Sequence, residues 1–283
     1  MMKLIDLHAH TSESDGSLSP TELVKLAKAQ GLAAVAVTDH DTAEGLEEAM
    51  WAAAAEGVEL VPGIELSVDY RGEGVHILGY FIDPDAEALK ELLAWVVWER
   101  ERRNGQIAEV MAADGLPVSL EYMHERFPEA VIGRPHFSAV LVENGVVSSV
   151  AEGFEKYLSP GGRYYRRRQY IPIDMAFDAI KRSGGKAVFA HPLQYRYSHG
   201  ELIELTELLV EKGLTGMECI YSVYTPEETE YLRSIAEKYG LCVTGGSDFH
   251  GSGKPHIQLG SGCGDMKVPY ELLEKLKNAK IKV

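Results

Sequence analysis

Short apolar runs that end in histidine or a carboxylate recur along this chain, and they limit its fold more than any other feature. KLIDL leads into His8 and His10, LAAVAVT into Asp39 and His40, VELVPGI into Glu65, KAVFA into His191, and LCVTGGS into Asp248 and His250; His76 lies inside GVHILGY. Helical patterns stand between most of these runs. SPTELVKLAKAQG carries Ser19 as N-cap, Pro20 in the first turn, Glu22 to complete a capping box and Gly31 as a stop. DTAEGLEEAMWAAAAEG reads as a second helix with Asp41 and Glu44 at capping positions, and the segment from Glu201 to Lys212, PEETEYLRSIAEKYG and PYELLEKLKNAK read as later ones. Strand–helix repeats predict a parallel α/β sheet, and about seven strands are enough to close it into a barrel. From Pro84 to Gly162 the alternation stops and the pattern is helical. Residues 84–162 are therefore expected to form a helical subdomain inserted between barrel segments 1–83 and 163–283.

In a parallel barrel the strand C-termini share one rim, so distant segments deliver their polar ends to one place. Alternation along the first strand also sends Asp6, His8 and His10 to one side. A lone histidine at a strand end is usually a hydrogen-bonded core or surface residue. Repetition at successive strand ends indicates a shared site, because burying so many polar groups without a compensating ion is costly. Imidazoles and carboxylates without thiolates suit Zn, Mn or Fe rather than a cysteine-rich structural zinc site.

The formal charge of −15 argues against broad nucleic-acid binding. The arginines nevertheless concentrate in WERERRNG and RYYRRRQY, either as a solvated face or as a local cationic pocket. Cys219, Cys242 and Cys263 show no paired spacing and read as inert thiols of a reducing compartment. With no membrane-length apolar stretch and no secretory leader pattern, a cytoplasmic location is expected.

The segments DLHAHTSESDG, VTDHDT, PGIELS, HILGYFID, AHP and GSDFH, in this order along nearly the whole chain, resemble the PHP family of metal-dependent phosphoesterases. That resemblance implies a distorted (β/α)7 barrel of PHP type with a trinuclear metal centre. By matching motif, His8, His10, Glu65 and Asp248 would hold one metal. Asp15, His40 and His250 would hold a second, and Glu65, His76 and His191 a third, with Glu65 bridging. Asp15 stands where many relatives have histidine. GRPHF and FEKYL within the helical block resemble the branch acting on nucleotides and related ribose phosphates. The expected reaction is hydrolysis of a nucleoside 3',5'-bisphosphate or related nucleotide. The alternatives are a cyclic ribose-phosphate esterase, a 5'-to-3' exoribonuclease acting on short RNA 5' ends, and a non-catalytic metal-stabilised scaffold. Where nucleotide-acting members tend to read Gly-Tyr-Val-Pro, this chain has RYYRRRQYIP, which adds cations suited to a second phosphate.

Three divalent ions among neutral imidazoles and the carboxylates of Asp15, Glu65 and Asp248 would make a positive pocket in an acidic protein. Metal coordination lowers the pKa of bound water, so a metal-bridging hydroxide would be the expected nucleophile. Asp248 could orient that water. Arg134 and His136 of GRPHF are candidates for a catalytic phosphate clamp. Arg103, Asn104, Arg166, Arg167, Arg168 and Tyr195 are further substrate-binding candidates, while His124, His199 and His256 match nothing and read as surface residues. Two to three Mn, Fe or Zn ions, a small phosphorylated substrate and no membrane partner complete the expectation.

Overall fold

In the computed structural model, residues 3–128 and 132–280 are described. They fall into two compact units, Met1–Leu93 with Tyr170–Val283, and Ala94–Gln169.

The first unit is an α/β barrel. Its strands are β1 (Ile5–Asp6), β2 (Ala34–Val37), β3 (Glu59–Tyr70), β4 (Glu73–Tyr80), β5 (Lys186–Phe189), β6 (Gly216–Tyr221) and β7 (Cys242–Gly246). They pair in chain order into one seven-stranded sheet. Loops after the first and last strands bring the edges together: Leu7 N–H donates to Gly245 O at 3.3 Å, and Asp248 N–H to His8 O at 2.8 Å. Gly246 permits this approach, since a Cβ there would sit 2.3 Å from His8 Cβ. Around the sheet run α1 (Pro20–Ala29), α2 (Leu46–Glu56), α7 (Ile173–Arg182), α8 (His199–Glu211), α9 (Pro226–Lys238) and α10 (Tyr270–Asn278). Ile5, Leu7, Leu78, Tyr80, Val188 and Leu273 pack in one buried core.

The sheet is not wholly parallel. β4 runs antiparallel to both β3 and β5. The cause is local: Tyr70 and Glu73 pair across a two-residue loop in which Arg71 and Gly72 have φ of +54° and +82°. Such a left-handed pair makes a tight hairpin, whereas a parallel neighbour would need a long crossover. His76 consequently lies inside a strand and not at its end. It still joins the rim, opposite Ser67 and with its carbonyl accepting the N–H of Ala190, just past the end of β5.

The capping box of α1 forms, with Glu22 N–H donating to Ser19 Oγ at 3.2 Å and Ser19 N–H to Glu22 Oε2 at 2.9 Å. The expected caps of α2 do not. That helix starts after Gly45, and Asp41 (φ +53°) turns to β3, where its carboxylate accepts the Ser67 N–H at 2.9 Å and Oγ–H at 3.1 Å.

The second unit takes in most of α3 (Glu87–Ala113), then α4 (Leu120–Arg126), α5 (Arg134–Glu143), α6 (Val150–Gly153) and a π-helical turn at Phe154–Leu158. Its core contains Ile107, Met111, Met123, Phe137, Leu141 and Leu158. No helix among the described residues is long and apolar enough to cross a membrane.

Candidate metal centre

Glu65, fully buried on β3, is the hub of the barrel rim. Its Oε1 lies 2.9 Å from both His76 Nδ1 and His191 Nε2. Its Oε2 lies 3.1 Å from His8 Nε2, 3.3 Å from His10 Nε2 and 3.2 Å from His40 Nδ1. Asp248 Oδ1 is 3.2 Å from His10 Nε2 and 3.4 Å from His250 Nδ1. Asp15, the most exposed member, places Oδ1 3.2 Å from His250 Nε2. Four overlapping groups result: His8, His10 and Asp248; His10, Asp15, His40 and His250; His8, Glu65 and His191; His40, Glu65 and His76. All nine candidate ligands are thus brought together.

Hydrogen bonding does not account for this crowding. His8 Nε2, both ring nitrogens of His10, His40 Nδ1, His191 Nδ1 and Glu65 Oε2 are buried without a hydrogen-bond partner among the described residues. Leaving so many lone pairs desolvated and unpaired is costly, and cations among them remove that cost. The donor set, imidazole and carboxylate without thiolate, fits divalent transition metals. The electrostatics agree. Burial by itself would raise the Glu65 carboxyl, but the imidazoles of His8, His76 and His40 hold it well below the usual range. Burial pushes His40 down to about 4. His10, despite its burial, is pushed up to about 9 by the carboxylates of Asp248 and Glu65.

Other carboxylates in the same motifs do structural work. Asp6 does not join the ligands. Its oxygens accept backbone N–H groups of Ser247 at 2.8 Å, Gly260 at 2.7 Å and His8 at 3.2 Å, tying β1 to the loops after β7. Asp39 accepts the Thr11 N–H at 2.7 Å and the Thr11 and Ser14 hydroxyls at 2.6 and 2.5 Å, which fixes the loop carrying Asp15. Tyr195 accepts the His76 backbone N–H at 2.7 Å, and its ring stacks on Phe189. It anchors β4 beside the ligands. His124 and His199 lie at the surface against Glu101 and Tyr231.

Within the second unit, a different group forms. Arg103 is buried, and its Nε has no hydrogen-bond partner among the described residues. Burial, with the guanidiniums of Arg134, Arg168 and Arg100 beside it, pushes Arg103 down to about 10. Fully buried Asn104 accepts from Arg103 at 2.9 Å and donates to Ile132 O at 3.0 Å, so it orients that arginine. Arg134, at the start of α5, donates to Leu158 O at 3.2 Å and lies over the Phe154 and Tyr165 rings. His136 accepts the Gly133 N–H on Nδ1 at 3.1 Å, which leaves the proton on Nε2 as a donor. In the RYYRRRQY run, Arg166 is committed to the carbonyls of Arg163 and Tyr165, and Arg167 is exposed. Sequence reasoning missed Arg100, Glu218, Tyr221 and Lys254; the last three contact candidate ligands.

A parallel-rich barrel whose rim gathers six imidazoles and three carboxylates fits a metal-dependent phosphoesterase, the class of a solved structure 32% identical to this chain. The chain belongs to the PHP domain family, whose pattern matches residues 6–157. It is 36% identical to the 5'-3' exoribonuclease Rnm of Escherichia coli (strain K12), over 91% of this chain and 88% of that one. It is 35% identical to a 3',5'-nucleoside bisphosphate phosphatase of Chromobacterium violaceum, covering 92% and 91%. Among solved structures, an amidohydrolase from Chromobacterium violaceum with bound sulfate and no metal superposes with a TM-score of 0.74, with 32% identity over 96% of this chain and 95% of that one.

Proposed function

We propose that this enzyme removes phosphate from a small phosphorylated ribose compound, a nucleoside 3',5'-bisphosphate or a close relative. Two to three Mn, Fe or Zn ions would be held by His8, His10, Glu65 and Asp248, by Asp15, His40 and His250, and by Glu65, His76 and His191. The observation that carries the assignment is the set of orphaned buried nitrogens and the Glu65 oxygen converging on one rim. When bound, the ions supply Lewis acidity toward the phosphoryl oxygens and lower the pKa of a water.

The protein's own groups do the rest. Glu65 joins five imidazoles from four separate segments, so it sets the spacing of the centre. Arg134 and Arg103 offer guanidinium donors to a phosphate, with Arg168 adding charge and Asn104 holding Arg103. His136 offers Nε2–H as a donor. No serine or cysteine is assigned as a nucleophile, and Cys219, Cys242 and Cys263 form no disulfide among the described residues. The solved relative's bound sulfate, a phosphate mimic, and the phosphorylated substrates named for the sequence relatives support this reading.

The test is phosphate release from mono-, bis- and cyclic ribose phosphates and from short 5'-phosphorylated RNA by the Mn-loaded protein. The expected outcome is highest kcat/KM on a nucleoside 3',5'-bisphosphate. Faster turnover of oligonucleotides would reassign the enzyme as an exoribonuclease, and no turnover of any of them would refute the proposal.

A further inference from the structure

β6 supplies none of the nine candidate ligands, yet two of its side chains grip three of them. Glu218 is fully buried, with its carboxylate oxygens 3.0 and 3.2 Å from His8 Nδ1. Its Oε2 also accepts the backbone N–H of His191 at 2.8 Å. Three residues on, the Tyr221 hydroxyl donates to Asp248 Oδ2 at 2.6 Å, and Lys254 Nζ donates to the same oxygen at 2.6 Å. Strict strand alternation sends residues three apart to opposite faces. Here the pairing with β7 slips between Glu218, opposite Thr244, and Ile220, opposite Gly245. This bulge brings both side chains to the ligand side.

The chemistry follows from which atoms are taken. A carboxylate on Nδ1 keeps the proton there, so the lone pair of His8 points from Nε2 toward Glu65 and Asp248. With Oδ2 occupied twice, Asp248 presents Oδ1 to His8 and His10. Two of the residues held this way, His191 (φ +29°) and Asp248 (φ +57°), have left-handed backbone that needs outside support.

We infer that Glu218, Tyr221 and Lys254 are positioning residues that fix His8 and Asp248 as single-atom ligands of the metal position they share. The inference rests on the ligand assignment above. Glutamine at 218 would keep the shape but lose one of two acceptor oxygens, so the N–H of His191 and the Nδ1–H of His8 would compete for the other.

The experiment uses the full-length protein stripped of metal and titrated with Mn2+, with the free ion followed by its paramagnetic resonance signal. Glu218→Gln is expected to weaken binding of at least one Mn2+ by about 10- to 100-fold, the range for loss of a group that orients a metal ligand. Tyr221→Phe and Lys254→Met should show smaller losses of the same sign. The metal-free melting temperatures should stay within about 3 °C of wild type. The Mn2+ concentration that half-activates Glu218→Gln should rise in step, while turnover at saturating Mn2+ returns toward wild type. If wild type itself takes up no Mn2+, the ligand assignment fails. If wild type binds and all three variants match it, the positioning roles fail while the ligands stand. A loss of affinity accompanied by an equal loss of metal-free stability would mark the roles as purely structural and overturn the inference. Should Glu218→Gln not fold, Tyr221→Phe, which removes a single oxygen, decides the matter.

Discussion

The barrel rim and the helical unit present opposite electrostatic problems. Around Glu65, lone pairs crowd together with too few protons between them. Around Arg103, burial and the guanidinium charges beside it loosen the proton of that one arginine. Neither arrangement favours the folded state by itself. Cations would relieve the first and, on the proposed function, an anion the second. A phosphoesterase that uses metals needs both. The contrast also separates two kinds of residue by what their loss should do: rim variants lose metal, whereas arginine variants keep it.

Glu65→Gln should give the largest effect. Because one carboxylate serves five imidazoles, the variant is expected to lose metal and to reduce turnover by more than about 100-fold, beyond the range for outlying partners of metal ligands. Circular dichroism should show the barrel still folded. Activity within a few fold of wild type would break the comparison at its first member.

Arg134→Ala comes next. A lost hydrogen bond to a charged group costs about 1.5–3 kcal/mol, so kcat/KM should fall roughly ten- to a hundred-fold. Elemental analysis should show unchanged metal. If Arg134→Ala strips metal instead, the two regions are not separable in the way described.

Arg103→Met sharpens the contrast through stability. The folded protein binds this proton less tightly than the unfolded chain does, so the charge disfavours folding in full below pH 10 and the cost fades only as pH rises past it. At pH 7 the neutral variant should melt higher by about 2–4 °C, the equivalent of roughly 1 kcal/mol. It should also lose the stabilisation that added phosphate gives wild type. A lower melting temperature would mean that the arginine group is compensated within the fold. The smallest effect is expected from Arg167→Ala, whose side chain is exposed; its kcat/KM on mono- and bisphosphates should stay within about two-fold, as for a surface change of 0.5 kcal/mol or less.

Much of the rim was legible because strand ends are legible. An apolar run that stops at histidine or a carboxylate announces both an element and a site, and His8, His10, His40, Glu65, His191, Asp248 and His250 all follow that pattern. What could not be read were the partners. Asp6, Asp39 and Asp41 sit in the same motifs as the ligands, yet their carboxylates accept backbone N–H groups, and only the closed sheet shows which amides face them. Glu218 lay in the middle of GMECIY, where nothing marked the bulge that aligns it with Tyr221. The direction of β4 had a local signal in the two-residue Arg71–Gly72 loop, too short for a parallel crossover. The arginine runs showed charge but not convergence: Arg100, Arg103, Arg134 and Arg168 come from three separate segments, while Arg166 turns back on its own loop.

The most direct measurement of the central claim is a crystal structure of the Mn-reconstituted protein with anomalous scattering to locate the ions. At least two ions are expected at the rim, with Glu65 oxygens between neighbouring positions and His8, His10 and Asp248 Oδ1 on one of them at coordination distances of about 2.0–2.3 Å. Well-occupied ions that leave His8, His10 and Asp248 more than about 3 Å away, outside any coordination sphere, would contradict the account.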